Sequence, residues 1–128
     1  MEITDEIFNQ LISKAMDELP QEYIKGLDNV VITYADEPDE HQRQSTHLDE
    51  TGGLLLGLYE GIPLTKRSSM AAFAMPDKIT LFKHHIMAVS PTPEAFYEQI
   101  KRTLWHEIAH YYGLDHDDMD RLQQKEAN

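Results

Sequence analysis

The 128-residue sequence has no cysteine, only 11 Lys and Arg against 23 Asp and Glu, and no long apolar run. Each shortage excludes something. Without cysteine there can be no disulfide framework, thiolate metal site, Fe–S cluster or cysteine nucleophile, so any metal must sit on His, Asp or Glu. A formal charge of −12 argues against a protein that holds nucleic acid by neutralising phosphates, and disfavours anionic membranes for the same reason. The apolar runs, such as Leu54 to Tyr59, are far below the roughly 20 residues that cross a bilayer. The amino terminus, MEITDEIFNQL, is acidic from its second residue and lacks the basic and apolar regions of a secretion signal, so a cytoplasmic protein is expected.

What remains is 41% hydrophobic residues in a length that suits one compact domain over 1–128. In residues 5 to 19, Ile7, Phe8, Leu11, Ile12, Ala15, Met16 and Leu19 recur at three-to-four spacing behind Thr4, which predicts a capped helix stopped by Pro20. Strands are expected at Asn29 to Tyr34, Leu54 to Tyr59 and Lys78 to Phe82, with His85 to Val89 extending the third or forming another. The polar stretch from Asp36 to Glu50 reads as an exposed loop, long enough for a lid, and Gly61 to Asp77 as an ordered loop. Thr92 and Pro93 then start a helix that should run to Tyr112 and end at Gly113. Its core stripe is Ile100, Leu104, Ile108 and Tyr111, with Tyr97 and Trp105 beside it. A short last helix is expected over Asp117 to Lys125. The sum is an α+β fold: an amino-terminal helix, a small mixed sheet of three or four strands, and a long helix that carries the chemistry.

That chemistry lies in HEIAHYYGLDHDD. Four residues apart on a helix is a turn of about 40° and a rise of about 6 Å, so His106 and His110 stand one above the other and can share a metal ion. Glu107, about 100° from His106, is placed to bond a water on that metal. Gly113 lets the chain reverse, so that His116 can return as a third imidazole. Three neutral nitrogens leave a fourth tetrahedral position for water, as a catalytic zinc site requires. Zinc there lowers the pKa of the water from about 15.7 towards about 7 and polarises a carbonyl, while Glu107 moves the proton to the leaving amine. An accidental HExxH is expected in about one chain in a hundred of this length, and the added Gly113 and His116 make accident far rarer. The bland reading is a helix end that happens to be rich in His and acid.

HEIAHYYGLDH resembles the HExxHxxGxxH signature of the metzincin clan of zincin metallopeptidases. The resemblance implies zinc ligands at His106, His110 and His116, one Zn2+ per chain, and Glu107 as general base. GLYEGIPLTKR (Gly57 to Arg67), MPDKITLF (Met75 to Phe82) and the active helix are similar to a family of small bacterial zincin-like metallopeptidases of largely unknown function. That likeness implies a minimal zincin-like fold acting on a peptide or protein. Metzincins place a methionine turn well beyond the third His, whereas 12 residues follow His116 here and Met119 is too close to serve. A shallow, open cleft with weak or narrow activity is the expectation, unless a partner or substrate completes it.

Two other classes compete. A bacterial family of metal-dependent endoribonucleases carries an HGxLHxxGxDH pattern, which Gly113, Asp115 and His116 fit, but Glu107 stands where that pattern has glycine. A non-enzymatic metal-binding module is the third. Among softer candidates, Asp117 could orient an imidazole or simply cap the last helix. Asp115, Asp118 and Asp120 read as solvated. Tyr111 and Tyr112 could donate to an oxyanion or pack. His84 and His85, taken as neighbours in a strand, would face opposite sides, leaving at most one to reach the cleft. His41 and His47 are expected in solvent, and Thr65 and Arg67 either hold their loop or touch substrate.

Overall fold

A computed structural model describes residues 1–48, 53–62, 76–114, 118 and 121. Helix α1 (Asp5–Glu18) starts where the Thr4 side chain accepts the Ile7 N–H at 3.1 Å, and it buries Phe8, Ile12 and Ala15. The chain turns at Leu19 and Pro20. A five-residue helix, α2 (Gln21–Lys25), follows directly, too short to leave a periodic signal in sequence. Gln21 Nε2 lies 2.8 to 3.0 Å from the carbonyls of Met16, Asp17 and Leu19, acceptors that a helix end leaves without helical partners.

Strands β1 (Val30–Ala35), β2 (Gly57–Glu60) and β3 (Asp77–Phe82) form a mixed sheet in the order β1-β3-β2. β1 runs parallel to β3, pairing Val30 with Asp77 through Ala35 with Phe82, and β2 runs antiparallel to it, pairing Gly57 with Leu81 through Glu60 with Lys78. The central strand is the most buried, as its Ile79 and Leu81 are wholly enclosed. α5 (Pro93–Tyr112) lies against α1, β2 and β3. Ile100, Leu104 and Ile108 meet Phe8 and Ile12 of α1 in one core, in which Phe8 stands edge-on to Tyr34 at 5.6 Å and near Phe96 at 5.8 Å.

Two expectations are corrected. His85 to Val89 forms neither an extension of β3 nor a further strand: residues Lys83–Ala88 are a helix, α4. β3 ends at Phe82, and the chain turns because the buried Lys83 reaches Asp5 at 2.8 Å and Asp36 at 3.5 Å while the His84 N–H donates to Asp36 O at 3.0 Å. Ile86, four residues past Phe82, then falls into the core. The polar stretch after Asp36 is not wholly loop either, since α3 (Glu40–Ser45) sits within it. Its start carries a reciprocal cap, in which Asp39 Oδ1 accepts from Gln42 N at 2.7 Å and Gln42 Oε1 from Asp39 N at 2.9 Å. Gln42 is buried and donates to Glu60 Oε1 at 3.0 Å, tying α3 to β2. The second strand also begins later than expected, at Gly57, with Leu54 half exposed before it. The loop carrying Thr65 and Arg67 and nearly all of the expected last helix lie outside the described residues. No helix among the described residues is long and apolar enough to cross a membrane.

Candidate metal centre

α5 carries the site at its carboxyl end because both of its ends are firmly specified. The Thr92 side chain accepts the Ala95 N–H at 3.1 Å with Pro93 in the first turn. At the far end Gly113 takes a left-handed conformation (φ 75°, ψ 25°), and Leu114 N donates back to Ala109 O at 3.0 Å. Ile100, Leu104, Ile108 and Tyr111 are fully buried, as their stripe predicts. This fixes the helix rotation. His106 and His110 are left half-buried at the edge of that stripe, with ring centroids 4.4 Å apart, and Glu107 turns inward towards β2.

Glu107 is buried, and its Oε1 accepts the main-chain N–H of Tyr59 at 3.0 Å. His110 Nδ1 lies 3.2 Å from the same oxygen. The hydrogen bond to Glu107 raises the His110 pKa above its ordinary value, against the opposing effect of partial burial. The approach of β2 to α5 depends on Gly57, where a Cβ would lie 2.7 Å from Thr103 Cγ2 and 3.4 Å from Glu107 Cγ. Tyr59 is itself clamped: its hydroxyl donates to Asp77 Oδ2 at 2.5 Å, and its ring stands edge-on to Tyr111 at 6.2 Å.

His106, Glu107 and His110 thus offer ligand atoms within 4.8 Å of one another. Two imidazoles and a carboxylate, with no thiolate in the chain, suit a divalent cation of the zinc type. His106 and His110 would hold such an ion, which would supply a Lewis acid beside the Glu107 carboxylate. His116, Asp115, Asp117 and Asp120 fall outside the described residues. Asp118, half-buried, pairs with Arg121.

The other candidates go elsewhere. The Tyr111 hydroxyl accepts the Asp28 N–H at 3.0 Å, and the Tyr112 hydroxyl donates to Tyr23 O at 2.6 Å, so both tyrosines bind the α2–β1 region. His85 Nδ1 meets the main chain of Leu55, and His84 faces Asp36 and Glu37, so neither joins the cluster. His41 and His47 are exposed, as expected. Sequence reasoning missed Gly57, Tyr59 and Thr103. Their role is a contact between segments 48 residues apart, which no local pattern encodes.

A fold with a helix-borne HExxH cluster beside a mixed sheet defines the zincin class. The model of the family described as zincin-like metallopeptidase matches residues 27–126, and the chain belongs to that family. Among solved structures, a conserved hypothetical protein from T. thermophilus is similar at a TM-score of 0.55 and 22% identity, over 86% of this chain and 94% of that one, which speaks for the fold. No curated protein matches the sequence.

Proposed function

We propose that this chain is a cytoplasmic, zinc-dependent peptidase acting on peptide or protein substrates. In this reading His106, His110 and His116 hold the ion, and Glu107 is the general base. The observation that carries it is the buried carboxylate of Glu107, fixed by Tyr59 N–H beside two imidazoles whose ring centroids lie 4.4 Å apart. When bound, zinc supplies a water of lowered pKa and polarises the scissile carbonyl. Glu107 accepts the proton of the attacking water and delivers it to the leaving amine, a role that needs a carboxylate within hydrogen-bond reach of both. His110 shares its Nδ1 side with Glu107 Oε1, which orients the imidazole. The net charge of −12 works against an RNA substrate.

The test is a peptide-library digest of the zinc-loaded wild type beside Glu107→Gln. The variant should keep about one zinc per chain and lose on the order of 10² to 10⁴ in rate. Equal cleavage by the variant, or RNA cleavage that survives Glu107→Ala, would refute the assignment. Zinc uptake with no cleavage of either polymer would leave a binding module.

A further inference from the structure

The outer edge of β2 has a part that the metal-binding motif does not announce. Tyr59 pairs with Ile79, Leu58 with Thr80, and the Phe82 N–H donates to Leu56 O at 3.0 Å. In an antiparallel ladder, successive residues alternate between bonding the partner strand and facing away from it. Leu56 and Leu58 therefore bond β3, while Gly57 and Tyr59 turn their main-chain groups outward, where α5 lies. The outward N–H of Tyr59 is given to Glu107 Oε1 at 3.0 Å. His110 Nδ1 approaches that same oxygen at 3.2 Å. Both contacts converge on Oε1.

Glu107 stands among the same atoms that would hold a cation, within 4.8 Å of the imidazole donors. Carboxylates ligate zinc readily, and a carboxylate bound to the ion is a poor base for the water beside it. We propose that the Tyr59 main-chain N–H is a positioning group that holds Glu107 back from the cation and turns Oε2 towards the water. This rests on the peptidase reading above and adds the group that keeps the base a base. The anchor is stiff because Tyr59 is tied to Asp77 Oδ2 at 2.5 Å and because Gly57 lets the strand lie close against Thr103. The geometry distinguishes two oxygens that the motif treats alike.

The experiment uses the full chain loaded with Co(II), whose visible absorption weakens as coordination rises from four to five. Two variants remove the donor: an amide-to-ester replacement at Tyr59 that keeps the side chain, and the harsher Tyr59→Pro, whose ring would also press on Glu107 Oε1 where the N–H now bonds it. Tyr59→Ala keeps the N–H and is the control for the proline variant. The donor-lacking proteins should bind Co(II) at least as tightly as wild type and show the weaker, higher-coordinate spectrum. Loaded with zinc, they should lose roughly 10- to 100-fold in kcat, with KM little changed. Tyr59→Ala, which keeps the N–H and loses the tie to Asp77, should stay closer to the wild-type spectrum than the proline variant does. Weaker Co(II) binding with an unchanged spectrum in the ester protein would overturn the proposal, since that is how a purely structural bond behaves. A wild type that takes up no Co(II) overturns this proposal and the metal reading together. The expected spectral change in a protein that cuts no peptide supports the positioning role and removes the peptidase reading alone.

Discussion

Replacing Gly57 with alanine puts a methyl group where α5 and β3 leave no room. The new Cβ would lie 2.7 Å from Thr103 Cγ2, 3.1 Å from Leu81 Cδ2 and 3.4 Å from Glu107 Cγ. Thr103 and Leu81 are both buried, so neither can swing into solvent. Overpacking of this kind costs about 1 to 3 kcal/mol. Against that stands a gain of about 0.5 to 1 kcal/mol, because alanine has less unfolded-state freedom to lose than glycine. The net loss is on the order of 0.5 to 2 kcal/mol, a fall in Tm of roughly 2 to 8 °C for a chain of this size. Trp105, the sole tryptophan and nearly wholly buried, gives the assay through its fluorescence during thermal and urea unfolding. The mechanism is sharpened by Thr103→Ser, which removes the methyl in the way and keeps a hydroxyl to accept from Gln99 Nε2, now at 3.0 Å. In the double variant more than half of the loss should return, as a coupling of about 0.5 to 1.5 kcal/mol between touching residues. If Gly57→Ala proves as stable as wild type, or if Thr103→Ser rescues nothing, the close approach of β2 to α5 is not what selects glycine.

Other outcomes follow from single contacts. Phe8→Ala empties a fully buried site between Tyr34 and Phe96 and should cost about 3 to 5 kcal/mol in a urea melt. Tyr111→Phe leaves the Asp28 N–H without its acceptor at 3.0 Å; it should cost about 1 to 2 kcal/mol and leave the proposed peptidase activity intact, whereas a collapse of kcat alone would restore Tyr111 as an oxyanion donor. Lys83→Met removes the pairs to Asp5 and Asp36 and should cost about 1 kcal/mol near neutral pH, as Asp5 is largely exposed. The Lys83 pKa is raised above its ordinary 10.5, chiefly by the hydrogen bond to Asp5. A folded pKa above the unfolded one gives stability that is complete below about 10.5 and lost as pH rises through the folded value. The urea midpoints of wild type and Lys83→Met should therefore stay a constant distance apart from about pH 7 to 9 and converge above about 10.5; a gap that widens there would reverse the sign of the argument.

Several elements were legible because their signals are local. Thr92, Pro93 and Gly113 specify both ends of α5, and the apolar stripe from Ile100 to Tyr111 fixes which side is buried. Once those are set, a spacing of four brings His106 and His110 together without help from the rest of the chain. α3 was also written in the sequence, as Asp39 followed by Gln42 at capping-box spacing, but the polarity around it masked the signal. α4 was harder. His85 to Val89 is too short to separate a period of two from one of 3.6, and the decision came from Asp5 and Asp36 capturing Lys83 across the fold.

The sequence by itself determined the absence of thiolate chemistry, the acidic surface, the long helix and the pair of imidazoles one turn apart. These follow from composition and from the geometry of one helix. Only the tertiary structure decided what surrounds Glu107: that it is buried, that the Tyr59 N–H holds one of its oxygens, and that glycine at position 57 admits the strand which brings that N–H. The reason is physical. Hydrogen bonds and close contacts between segments distant in sequence depend on how elements pack, and packing is settled by the whole core at once and not by any one segment.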